Sequence, residues 1–145
     1  MMNDTLPILG HVTADLYESG KLIQTIDQPN LIVEVGKNSR AKRIAFAGEP
    51  IIEKVSIGTG TITPLFDQTE LDSPVATRTA QFTLIDDNNV VKYITTFPEG
   101  IGTGNITEVG LFNTNDTMIS RTLLQTPFNK GPARFLNITW RLQVA

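Results

Sequence analysis

The sequence predicts a mainly β fold: a jelly-roll-like antiparallel β-sandwich with one short α-helix at about 37–47. Three observations carry that prediction. Thr, Val and Ile recur along the chain while 11 Gly and 8 Pro punctuate it, a composition suited to short strands and turns rather than long helices. Several segments alternate apolar and polar residues, with turn-forming clusters between them. Only one stretch has helical spacing. At 145 residues and 15.9 kDa the chain has the size of one domain, expected over 9–145 behind a flexible arm at 1–8.

The first expected strands, Val12–Tyr17 and Lys21–Asp27, flank the turn Glu18-Ser19-Gly20, where glycine suits a positive φ. Gln28-Pro29-Asn30 is expected to bend the chain before a short strand at Leu31–Val35. From Lys37 to Ala47 the residues read KNSRAKRIAFA. Ala41, Ile44 and Ala45 fall at i, i+3, i+4, Gly48 suits a C-cap, and Pro50 forbids continuation. A long irregular loop is expected from Gly58 to Pro74, since that stretch has no period. Val75 to Ile85 reads as one long strand, turning through Asp86-Asp87-Asn88-Asn89 into Val90–Phe97. Asn105–Phe112 and Met118–Leu124 read as a hairpin across Asn113–Asp116. The last segment is the clearest: Leu136, Ile138, Trp140, Leu142 and Val144 alternate with Asn137, Thr139, Arg141 and Gln143, the pattern of a half-buried strand.

The residue inventory narrows the chemistry. The chain has no cysteine, which excludes disulfide scaffolds, cysteine zinc sites and thiol nucleophiles. His11 is the single histidine, so no histidine pair exists. Its partner in a triad would have to be placed precisely, and Asp15, four residues along a strand, is about 13 Å away. A structural or surface histidine is the favoured reading. The net charge of −3 and pI near 5.1 give no overall bias toward nucleic acid or anionic membranes. No apolar run approaches the roughly 20 residues of a membrane helix, and the first residues lack a secretory pattern.

Four features invite a functional reading. IGTGTIT (57–63) is nearly repeated as IGTGNIT (101–107), but neither is followed by the helix a phosphate loop requires, so strand-end turns are favoured. Asp67, Glu70 and Asp72 cluster in the long loop, and Asp86-Asp87 sit in a turn, without the ladder of a calcium loop. No metal and no cofactor is expected. Lys37, Arg40, Lys42 and Arg43 put four of the 12 basic residues into the expected helix. They are the candidate partner-contact residues, set against the plainer reading of a solvated helix face.

Several strings taken together, NLIVEVGKN (30–38), IGTGT (57–61), ITEVGLFN (106–113), MISRTLL (118–124) and FNK…LNITW (128–140), resemble small β-rich structural proteins of tailed bacteriophages. These are the decoration or cement and tail-fibre-like proteins, and the resemblance spans roughly residues 20–145. It implies a non-enzymatic virion protein, made in the host bacterial cytoplasm and built into the particle. Capsid decoration or cementing is the leading role, with a tail-fibre, neck or baseplate attachment module as the alternative and a carbohydrate-binding module as a remote one. The implied partners are the major capsid protein or other virion structural proteins, with the chain itself a homo-oligomer, a trimer by analogy with threefold cement sites. Gly131-Pro132-Ala133-Arg134 departs from the family's small polar linker, so that corner is expected to differ in shape.

Overall fold

The computed structural model describes residues 9–46, 48–86 and 90–143, apart from the side chains of Leu9, Arg40, Ile44 and Asp86. The expected arm at 1–8, the turn residues Asp87-Asn88-Asn89 and the last residue of the expected helix, Ala47, lie outside them. The described elements are β1 (Leu9–Glu18), β2 (Lys21–Ile32), α1 (Glu34–Ala45), β3 (Ile52–Gly58), β4 (Pro74–Thr79), β5 (Phe82–Asp86), β6 (Val90–Phe97), β7 (Gly104–Asn113), β8 (Met118–Lys130) and β9 (Arg134–Gln143).

The expected β-rich chain with one helix is what these elements form. The strands pair antiparallel in a single order, β4-β3-β7-β8-β2-β1-β9-β6-β5, and the sheet curls into a half-barrel. They are not hydrogen-bonded as two separate sheets. The join is β2, which pairs with β1 along Lys21–Asn30 and then with β8 only at Leu31 and Ile32. Strands that pass from one layer to the next are how orthogonal β-structures turn corners.

Between the two arms lies one core. It draws Val12, Leu16, Phe97, Leu136, Ile138 and Trp140 from one arm, and Val55, Ile57, Ile106, Leu111 and Phe128 from the other. Trp140 is fully buried, as the alternation along the last strand predicts. Within this core the Thr95 hydroxyl is buried without a hydrogen-bond partner among the described residues. An unsatisfied buried hydroxyl costs on the order of 1 kcal/mol or more. Thr95→Val is therefore expected to raise stability by about 1 kcal/mol, read as a higher urea midpoint with an unchanged m-value.

Tyr93 also points into the core, and burial raises its pKa from 10.0 to about 12, the positive charge of Arg43 pulling weakly the other way. The folded chain thus holds this proton after the unfolded chain has released it. The contribution is complete below pH 10 and disappears as pH climbs toward 12. Tyr93→Phe is expected to flatten that alkaline fall in stability, measured by urea unfolding from pH 9 upward.

Four expectations are corrected. The helix begins at Glu34, three residues earlier than the pattern indicates, and ends at Ala45, two residues earlier, and its C-cap is Phe46 rather than Gly48. Ala41 and Ala45 are exposed and the Ile44 side chain lies outside the described residues; the buried positions among those described are Gly36 and Ser39, with Val33 at the N-cap. The chain does not bend at Gln28-Pro29-Asn30, because β2 continues through it in register with Gly10–Val12. A proline is tolerated there since the far side of β2 meets β8 only at Leu31 and Ile32. Finally, the long strand at Val75–Ile85 is divided. β4 pairs with β3 at one edge and β5 pairs with β6 at the other, with Ala80-Gln81 crossing between them. Ala80 N–H donates to Glu53 O at 2.7 Å and Gln81 N–H to Ile94 O at 2.9 Å, so the crossing residues touch both arms. β3 had no counterpart among the sequence expectations.

Candidate functional site

β7 is buried on both faces from Ile106 to Asn113, so it cannot show the alternation of a half-exposed strand. One face packs into the core. The other carries Glu108 and Gly110, with Arg121 of β8 directly opposite Gly110. Both charged side chains are fully buried.

Glu108 is the centre of a hydrogen-bond cluster. Its Oε2 accepts from Gly60 N–H at 2.9 Å and Ser73 N–H at 2.7 Å. Its Oε1 accepts from Asp72 N–H at 2.9 Å and from Arg121 Nε at 3.0 Å. Arg121 Nη2 stands 3.0 Å from that same oxygen without hydrogen-bond alignment. A buried carboxylate is tolerable only with this degree of pairing. Three of the four donated bonds come from or beside the loop that runs irregularly from 59 to 73, so one side chain pins both ends of it. Thr107 Oγ donates to Gly60 O at 2.5 Å, and Thr59 N–H donates to Ser73 O at 2.9 Å.

This arrangement accounts for the first copy of the duplicated string. A Cβ on Gly60 would stand 2.4 Å from Glu108 Oε2, and one on Gly58 would stand 2.4 Å from Ser73 O. The glycines let the backbone approach a carboxylate of the protein itself. The second copy works differently: Gly102 and Gly104 have φ of +74° and +151°. Similar letters thus serve two unlike corners.

The pinned loop meets the helix. Leu71 lies over Gly110, where a Cβ would stand 2.8 Å from the leucine's Cδ2; with Val33, Phe112 and Met118 it forms a small second core. At the other side of the loop Phe66 O accepts from Glu34 N–H at 2.8 Å, which satisfies one of the helix's orphan N-terminal donors. Lys37 Nζ stands 5.0 Å from the Phe66 ring centroid, a cation–π contact. Loop and helix therefore present one continuous surface. On it Ile62, Leu65 and Phe66 are 50%, 54% and 46% exposed.

The four candidate basic residues lie on this helix. Lys37, Lys42 and Arg43 are exposed, and the Arg40 side chain lies outside the described residues. Lys37 is engaged by Phe66, and Arg43 Nη1 donates to Glu49 O. At 100° per residue Lys37 and Lys42 are about 140° apart around the helix, so the described members form a collar rather than a single stripe. The remaining candidates are placed as follows. His11 stands 2.5 Å from Asp27 Oδ1, while Asp15 accepts from Thr25 Oγ at 2.5 Å. Asp72 Oδ2 accepts from Thr61 N–H at 3.3 Å. Among the described residues no three His, Asp or Glu side chains form a metal-binding group, and no helix is long and apolar enough to cross a membrane.

Sequence reasoning passed over Glu108 and Arg121, although both stand inside strings it had singled out, ITEVGLFN and MISRTLL. A lone charge of each sign within two neighbouring apolar strands was the signal available. No protein-family model matches the chain, and neither does any curated protein or solved structure.

Proposed function

We propose that this chain is a non-enzymatic structural protein of a tailed-bacteriophage particle, a decoration or cement module that binds the capsid shell. The observation that carries the proposal is the loop pinned by Glu108, which holds large apolar side chains at the surface on a rigid base. Exposed apolar groups in a fixed arrangement are stabilised when a neighbour covers them, and a loop already ordered loses little entropy on docking. Lys37, Lys42 and Arg43 are exposed on the helix beside that surface, and with Arg40 of the same helix they would complement an acidic partner, here the major capsid protein. The jelly-roll-like sandwich belongs to this proposal as well: the two arms face each other across a shared core, as sandwich layers do. So does a trimer, in which one heterologous contact is repeated three times. Binding to the assembled shell in preference to free subunits would stabilise the particle by mass action.

Imaging of intact particles together with copy number tests the proposal. Density on the capsid faces and hundreds of copies per particle are expected. Copies confined to the tail or neck, in small multiples of three or six, would replace cementing with the attachment role. Absence from particles would overturn both. Changing Arg40 and Arg43 to Glu is expected to weaken incorporation, and unaltered incorporation would remove the helix from the interface.

A further inference from the structure

A second cluster of polar side chains stands on the outer face of the other arm, far in sequence from the loop and independent of the virion reading. By register His11 of β1 is opposite Arg141 of β9, and Arg141 is opposite Lys92 of β6. Directly opposed side chains on antiparallel strands share a face with Cβ atoms about 5 Å apart. Gln143, two residues beyond Arg141, faces the same way. His11, Arg141 and Gln143 line a cleft of about 340 Å³ whose walls are Gly10, Pro29 and Val90.

The partners already present separate the roles of these groups. Asp27 takes up the imidazole of His11 at 2.5 Å. Arg141 makes one hydrogen bond among the described residues, from Nη1 to Thr13 Oγ at 3.3 Å, and no described carboxylate lies within ion-pair distance of it. A guanidinium has five N–H donors in a planar fork, so one bond to Thr13 leaves most of its capacity without a described acceptor, in a residue that lines the cleft. A fork, a neighbouring amide and short apolar walls form a recognition set for an oxyanion, because two parallel N–H bonds match two oxygens of a carboxylate or phosphate. The chain as a whole is acidic, with a net charge of −3, so any anion must be drawn by local groups.

We infer that this cleft is an oxyanion site, in which Arg141 and Gln143 hold a carboxylate or phosphate group. The test is a titration of the ¹⁵N-labelled full chain with sodium phosphate and, separately, with sodium acetate at constant ionic strength. The signals followed are the amides of Gly10, His11, Arg141 and Gln143 and the Arg141 Nε–H. Saturable shifts confined to this cleft are expected, with a Kd on the order of millimolar and a roughly tenfold or greater weakening in Arg141→Gln. Gln143→Ala, which leaves the Thr13 bond untouched, is expected to weaken binding independently. Arg141→Lys keeps the charge without the fork and is expected to restore only part of the affinity. Saturation by phosphate alone assigns the site to a phosphate-bearing ligand, and saturation by acetate assigns it to the acidic side chain of a partner. Shifts that stay linear with both anions, or saturable binding that survives Arg141→Gln, would overturn the inference.

Discussion

Glu108→Ala is expected to destabilise the fold by about 3–5 kcal/mol, because it breaks a fully buried ion pair by removing one member. The loss has two parts. Arg121 is left charged and 0% exposed, with Gln68 Oε1, at 3.4 Å, as its one remaining side-chain acceptor among the described residues. Gly60, Asp72 and Ser73 lose the acceptor for their N–H groups, and unsatisfied buried donors cost about 1–3 kcal/mol each where water cannot reach them. Arg121→Met is expected to cost less, since the carboxylate keeps those three donors. Glu108→Gln remains destabilising because its amide nitrogen turns a donor toward other donors. Urea unfolding measures the totals. Limited proteolysis supplies the local readout, with cleavage between 61 and 70 appearing in Glu108→Gln under native conditions. A Glu108→Ala chain within about 1 kcal/mol of the parent, with its loop still resistant, would show that the loop is held by something else.

The second large effect is expected at Gly36. Helix propensity alone favours Gly36→Ala by about 1 kcal/mol. Packing opposes it, since the added Cβ would stand 2.2 Å from Ile119 O and 2.6 Å from Ile119 Cα. Those are backbone atoms of β8 and cannot rotate aside, so the helix must lift from the sheet. Overpacking of this kind costs about 1–3 kcal/mol, and the rigidity of the obstacle places Gly36→Ala near 3. The displaced helix would also disturb the bond from Glu34 N–H to Phe66 O. Hydrogen exchange is expected to speed up in Glu34–Ala45 and at the loop together, while β1 and β9 keep their protection. A stabilised Gly36→Ala chain would mean that propensity outweighs contact.

The same two sites show what the sequence made legible. Where a strand has one wet face, as in β9, alternation names both its identity and its buried side, and Trp140 is where the pattern puts it. β7 has no wet face, so its polar residues read as interruptions although they are its most constrained positions. The helix starts earlier than its apolar spacing indicates because its contact is made by Gly36 and Ser39, a bare backbone and a small hydroxyl, rather than by the apolar Ala41 and Ala45. The loop looked formless because the acceptor that orders it, Glu108, is supplied by a strand far downstream. Local periodicity cannot register a bond partner that distant. The division of Val75–Ile85 was hidden for a related reason: both of its halves are strand-like, and only their neighbours differ.

That divided segment gives the molecule a mechanical property. Sheets ordinarily fail by peeling from an edge, where the outermost strand is held along one side only. Here the two outermost strands are successive parts of one stretch, Pro74–Asp86. Tension on either edge passes through Ala80-Gln81 along covalent backbone to the opposite edge. Neither can be stripped away without pulling on the other, and the half-barrel is strapped shut by its own chain.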